Sequence, residues 1–210
     1  MNLKKMKYLF FLLMAVCALS SCSETSEDDG TSEYANWQAR NDQAFADILA
    51  NAKAQVAAGN ADWKVFCQWS LDNQTLSGEG NTLPTYSDDN YIAVNVKENG
   101  TGTAVTPLYT DSVKVAYQGA LMNGTVFDGF KGSYDPQTVE GTKFVVSGLI
   151  DGFTTALQKM KNIGDHWVVY IPYNLGYGSS TSNTSIPAYS MLRFEIVLKA
   201  VKKGDTWICK

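Results

Sequence analysis

The sequence predicts an α+β fold: an antiparallel sheet wrapped on one short helix, preceded by an N-terminal helix and a strand/loop extension. Three patterns carry that expectation. From Tyr91 onward apolar residues alternate with others in short runs separated by glycine turns, as half-buried antiparallel strands do. One stretch breaks the alternation, with Phe153, Ala156, Leu157 and Met160 at i, i+3, i+4 and i+7 and Gly164 as a stop. Ahead of the strands, residues 34–59 hold no proline and many alanines, and Trp37, Phe45, Ile48, Ala52 and Val56 fall three, four or eight apart, which suits one amphipathic helix.

The amino end sets the compartment. Lys4, Lys5 and Lys7 precede an apolar run, Tyr8 to Leu19, that is too short to span a bilayer, and Ser20 and Ser21 follow. A signal peptide is expected over residues 1–21. The run closes on Leu19-Ser20-Ser21-Cys22, which resembles the lipobox of bacterial lipoproteins. That resemblance implies acylation of the Cys22 thiol and cleavage just before it, hence a lipid-anchored protein of the bacterial outer membrane facing periplasm or cell surface. Ordinary secretory cleavage leaving Cys22 a free thiol is the alternative. Residues 22–33 are polar and acidic, without a large apolar side chain, and are expected to form a flexible tether. Glu24, Glu27, Asp28 and Asp29 resemble the surface-export tag of some lipoproteins, and a plain solvated linker explains them equally.

Charge narrows the partners. The full chain carries 17 basic and 21 acidic residues; loss of residues 1–21 removes three lysines and no acid, leaving 14 against 21, or −7. Such a surface repels nucleic acid and anionic headgroups, so contact with a membrane must come through acyl chains. Cys67 and Cys209 are far apart in sequence, and an oxidising exterior permits their pairing without requiring it. Two thiols and the single histidine, His166, make no metal cluster, and no cofactor is expected. His166 precedes the alternating Trp167, Val169 and Ile171 and is expected on the opposite strand face as a solvated bystander.

The elements then follow in order. Gly59-Asn60 ends the first helix, whose apolar stripe must pack on its own domain or on a second copy of the chain, leaving a homodimer open. Trp63 to Leu71 reads as a strand and Asp72 to Asn90 as a loop or hairpin, so residues 34–90 form an extension ahead of a domain over 91–210. Strands are expected at Ile92, Val94 and Val96; at Val113, Val115 and Tyr117; at Phe144 and Val146; at Trp167, Val169 and Ile171; and at Leu192, Phe194, Ile196 and Leu198.

Three blocks of residues carry a family resemblance. Val113 to Leu121 with Tyr117 and Gly119, then Asn123-Gly124 and Val126-Phe127-Asp128, is similar to the opening of the FKBP family of peptidyl-prolyl cis/trans isomerases. Phe144 to Phe153, containing Leu149-Ile150 and Gly152, resembles the family's middle block. Ile171-Pro172, Leu175-Gly-Tyr177-Gly178, Ser185-Ile186-Pro187 and Leu192-Arg-Phe194-Glu-Ile196 resemble its closing block, and Asn99 to Gly102 its first turn. The blocks run in family order from Tyr91 to Lys202. The resemblance implies an FKBP-like fold and isomerase activity on proline-containing polypeptides. It implies Tyr117, Phe127, Asp128 and Tyr177 as the catalytic set and Leu149, Ile150, Phe153, Ile186 and Phe194 as substrate-binding, with the Tyr177 hydroxyl and the Ile186 backbone N–H donating to substrate carbonyls. Core packing suits Leu149 and Leu192 better, and it is the ordinary fate of any buried Phe or Tyr.

An apolar site fits such chemistry. The prolyl bond turns over tens to hundreds of seconds across roughly 18 to 20 kcal/mol because rotation breaks amide resonance. The twisted amide is less polar than either planar isomer, so a dry aromatic pocket disfavours the planar forms more. Acceleration of about ten-thousandfold requires roughly 5 to 6 kcal/mol of differential binding, with no proton transfer. The chain departs from the family in Gly129 to Glu140, which is inserted after Asp128, in Thr142 where many members place an apolar wall, and in the small residues of Ser179 to Ser185. A noncatalytic chaperone, or a surface binding lipoprotein using the same groove, is the alternative class.

Overall fold

The computed structural model describes residues 33–72, 86–180 and 185–209. The expected signal peptide, Cys22 and nearly all of the tether lie outside the described residues, as does most of the polar stretch after Asp72. The sheet is built from β1 (Trp63–Cys67), β2 (Tyr91–Glu98), β3 (Ser112–Leu121), β4 (Val126–Gly129), β5 (Thr142–Val145), β6 (His166–Ile171), β7 (Leu192–Lys203) and β8 (Thr206–Cys209). Neighbours run β1-β2-β6-β7-β3-β4, with β5 also on β3 and β8 also on β7. Each pairing is antiparallel.

The period-two pattern explains how the sheet is used. Ile92, Val94, Val115, Val169, Phe194 and Ile196 are buried on one face. There they share a core with Phe153, Ala156 and Leu157 of helix α3 (Asp151–Leu157). Gly152 brings that helix close, since a Cβ there would lie 2.3 Å from Ile171 Cγ2. The opposite face is covered by α1 (Trp37–Ala57): Phe45, Leu49 and Ala52 form a second cluster with Ala93 and Met191. The apolar stripe of α1 is therefore buried on its own sheet.

Several expectations need correction. The buried stripe of α1 is Trp37, Asn41, Phe45, Leu49 and Ala52, whereas Val56 is 45% exposed and Ile48 only half-buried. A polar residue shifts the phase: Asn41 Nδ2 donates to the Trp37 carbonyl at 2.7 Å and its Oδ1 accepts from the Met191 N–H at 2.8 Å. The strand begun at Trp63 stops at Cys67, and Trp69–Asp72 forms one helical turn, α2, whose Trp69 N–H donates to Thr155 Oγ1 at 3.1 Å. Val146 ends β5 by entering a 3₁₀ turn, Val146–Gly148. Helix α3 stops at Leu157, and Met160 is buried in the turn beyond it. The short strands β4 and β8 were not expected, because Val126-Phe127 and Trp207-Ile208 set apolar residues side by side instead of alternating. No break in the sheet falls at residue 91, because β1 pairs in register with β2 from Trp63↔Asn95 to Cys67↔Tyr91.

His166 lies on the face away from the inner core, yet it is no solvated bystander. Its side chain is 15% exposed, its Nε2 stands 2.8 Å from Glu195 Oε1, and the Tyr134 ring meets it edge-on at 5.1 Å. Tyr134 belongs to the inserted segment, and Gln118 Nε2 pins that segment by donating to the carbonyls of Phe130 and Gly132, each at 2.9 Å.

Candidate functional site

Strand β3 supplies the base of the site. At Gly119 the absent side chain makes room for two rings, since a Cβ would sit 2.6 Å from Phe127 and 2.7 Å from Phe194. Phe127 and Phe194 then meet edge-on at 5.6 Å, and Phe194 meets Phe153 of α3 edge-on at 5.1 Å. Tyr117, two residues along β3, packs edge-on against Phe153 at 6.1 Å and Phe144 at 5.5 Å. These rings prefer such T-shaped contacts because the positive edge of one meets the negative face of another.

The rings bound a cavity of about 170 Å³ lined by Tyr117, Asp128, Phe144, Gly148, Leu149, Ile150, Phe153, Tyr177 and Phe194. Asp128 stands at its rim. Its Oδ2 accepts the Tyr117 hydroxyl at 2.7 Å and its Oδ1 accepts the Gly129 N–H at 2.7 Å. Gly129 has φ +90°, and a Cβ there would lie 2.0 Å from the Tyr117 carbonyl oxygen, so only glycine fits directly after Asp128.

Tyr177 comes from the opposite side, on the turn after β6. Gly178 N–H donates to the Tyr173 carbonyl at 2.7 Å, and Tyr189 N–H donates to the Gly178 carbonyl at 3.0 Å. Tyr189 itself has φ +59°, a rare conformation for a bulky residue, and is held by an edge-on contact with Tyr173 at 5.1 Å. The Tyr177 phenol is pushed above its ordinary value by burial and then by the Asp128 charge, although the residue as a whole is 39% exposed. The Tyr117 phenol is pushed well above its ordinary value by burial first, then by its hydrogen bond to Asp128. Both phenols are therefore neutral donors at neutral pH.

Seven of the nine expected pocket residues line the cavity: Tyr117, Asp128, Leu149, Ile150, Phe153, Tyr177 and Phe194. Phe127 meets Phe194 edge-on and is not among the lining residues. The Ile186 side chain is 2% exposed within the inner core cluster. Phe144, Gly119, Gly129 and Tyr189 were missed as site residues. Phe144 had a signal, since it opens the block that ends in Leu149-Ile150; nothing in the sequence marks Tyr189 as left-handed.

Comparison with known proteins bears on the region that holds the cavity. Residues 104–199 match the family model described as FKBP-type peptidyl-prolyl cis-trans isomerase. Residues 104–199 form an FKBP-type domain. A macrophage infectivity potentiator of Trypanosoma cruzi is 40% identical over 98 residues, which are 47% of this chain and 47% of that protein. The FKBP-type 22 kDa peptidyl-prolyl cis-trans isomerase of Escherichia coli is 39% identical over 97 residues, 46% of this chain and 44% of the relative. A protein of Legionella longbeachae named outer membrane protein MIP is 40% identical over 103 residues, 49% of this chain and 42% of the relative. The chain thus spans about half the length of the curated relatives it matches. The matched residues of the FKBP-type domain include the whole lining of the aromatic cavity.

Proposed function

We propose that the protein is a peptidyl-prolyl cis/trans isomerase that assists the folding of exported, proline-containing polypeptides. The observation that carries this reading is the aromatic cavity of the FKBP-type domain, bounded by Phe144, Phe153 and Phe194 and rimmed by the Tyr117–Asp128 hydrogen bond. A prolyl ring seated against Phe153 loses water around its amide, and the polar planar isomers lose more solvation than the twisted one. Tyr177 donates its hydroxyl to a substrate carbonyl. Asp128, held by two donors, presents a fixed carboxylate at the rim that positions its neighbours. Isomerisation of an X-Pro peptide, followed by NMR exchange, tests the activity. Phe194→Ala should lower kcat/KM more than Tyr177→Phe, with folding checked by circular dichroism, because truncating a buried Phe costs about 3 to 5 kcal/mol of stability. A folded wild type that shields a denatured protein from aggregation but turns over no peptide would instead be a chaperone.

The same reading places the chain on the bacterial outer membrane through acylated Cys22, supported by Leu19 to Cys22 and by a relative named as an outer membrane protein. Labelling cells with a palmitate analogue tests it: incorporation should vanish in Cys22→Ala. A homodimer through α1 would have to use the outward, polar side of that helix, since its apolar stripe is buried on the sheet. Size-exclusion chromatography with light scattering decides whether two copies pair.

A further inference from the structure

We infer that the inserted segment after Asp128 forms a second subsite, which receives a basic side chain of the client beside its proline. A basin of about 480 Å³ adjoins the aromatic cavity, and Tyr117 and Asp128 line both. Their hydrogen bond is the sill between the two. Beyond the sill the walls become mixed: Lys131, Thr138, Glu140 and Thr142 stand beside Phe130 and Val139. Thr142 stands where an apolar wall would close the aromatic cavity, and it is exposed to the basin instead.

The insertion is built to hold that shape. Gln118 clamps its start through the Phe130 and Gly132 carbonyls, and Asp135 holds its far side by accepting from the Gln137 N–H at 2.8 Å and the Thr138 hydroxyl at 3.0 Å. Two carboxylates, Asp128 and Glu140, face the basin against one ammonium, Lys131. Among the described residues neither Glu140 nor Lys131 has an ion-pair partner. A polypeptide with proline in the aromatic cavity has its flanking residue within reach of the sill, because consecutive Cα atoms lie about 3.8 Å apart. Lysine or arginine there meets the surplus of carboxylate and lays its alkyl stem along Phe130 and Val139. This rests on the prolyl reading of the adjoining cavity.

The test compares peptides that differ only in the residue flanking proline, lysine against glutamate, tried on each side. Affinity is read by fluorescence anisotropy of labelled peptide and turnover by NMR exchange. In the full chain the lysine peptide should bind and show a KM about three- to fivefold better, with kcat unchanged, as a partly exposed ion pair allows. The preference should fade in about 0.5 M salt, reverse in Glu140→Lys, grow in Lys131→Glu, and shrink when Thr142→Phe narrows the basin. A wild type that does not distinguish the peptides, or a Glu140→Lys variant with the same ranking, overturns the inference. Preferential binding of the lysine peptide without turnover of either keeps the subsite and sinks the isomerase reading.

Discussion

Asp128 owes its place at the rim to two neighbours, and they differ in what they allow. Tyr117→Phe removes one charged hydrogen bond, of the kind worth about 1.5 to 3 kcal/mol, but keeps the ring against Phe144 and Phe153. We expect kcat/KM to fall a few-fold with little loss of fold, measured on a standard X-Pro peptide. Gly129→Ala acts differently, since its Cβ would strike the Tyr117 carbonyl, so both the strand and Asp128 must move. That variant should lose more activity than Tyr117→Phe at a lower Tm. Gly119 was legible only as a family position; its physical role is the ring contact, visible once Phe127 and Phe194 are placed. The raised Tyr117 phenol also sets a pH dependence. The unfolded chain releases that proton from about pH 10 while the folded chain keeps it, so the stabilisation is fully present below pH 10 and is lost as pH rises beyond it. Thermal melts should be flat from pH 6 to 8 as far as this group is concerned and fall above about pH 10 in wild type. Tyr117→Phe should show a shallower alkaline fall, and an equal fall would remove Tyr117 as the cause.

Among the elements, α1 and the turn before β6 show how a polar side chain can decide packing that hydrophobic periodicity leaves open. Asn41 is 1% exposed, and it ties α1 to the Met191 N–H while bonding its own helix at Trp37. A count of apolar residues places the stripe through Ile48 and Val56; the hydrogen bonds of Asn41 rotate it onto Leu49. The strands were legible at β2, β3, β6 and β7, where six or more residues repeat the alternation, and illegible at β4 and β8. Asp165 gave no signal either. It is 3% exposed, and its carboxylate accepts from the Gly100 N–H at 2.8 Å, the Lys161 N–H at 2.7 Å and the Asn162 N–H at 3.0 Å, joining the first turn of the domain to the turn before β6. Asp165→Ala strands those donors in a part-buried place and should cost about 3 kcal/mol or more, read as a shift of the urea midpoint at unchanged m. Asn41→Ala, which frees one buried N–H, should cost about 1 to 3 kcal/mol. A smaller loss at Asp165 than at Asn41 would contradict this ranking.

Across the molecule the sheet separates two tasks: its inner face with α3 bounds the aromatic cavity, and its outer face is closed by α1. Neither the split nor the continuity of β1 with β2 was legible in the sequence, because strand pairing between Trp63–Cys67 and Tyr91–Glu98 spans a polar stretch with no pattern of its own. The consequence is that the family-matched region is smaller than the folding unit. A chain starting at Gly59 keeps the sheet but bares Ala93 and Met191, whose partners Phe45, Leu49 and Ala52 are gone. A chain starting at Tyr91 loses in addition the β1–β2 ladder and the Phe66 ring stacked on Trp167 at 6.0 Å. Apolar burial stabilises by roughly 25 cal/mol per Å², so each truncation removes a sizeable part of a margin that is usually about 5 to 15 kcal/mol. The expected Tm therefore falls from 34–210 to 59–210 to 91–210, with rising binding of a hydrophobic dye along the series. Cys67 and Cys209 are both free thiols, so reductant should leave the order and each Tm unchanged. Equal melting of 91–210 and 34–210 would show that β1 and α1 decorate the FKBP-type domain without stabilising it.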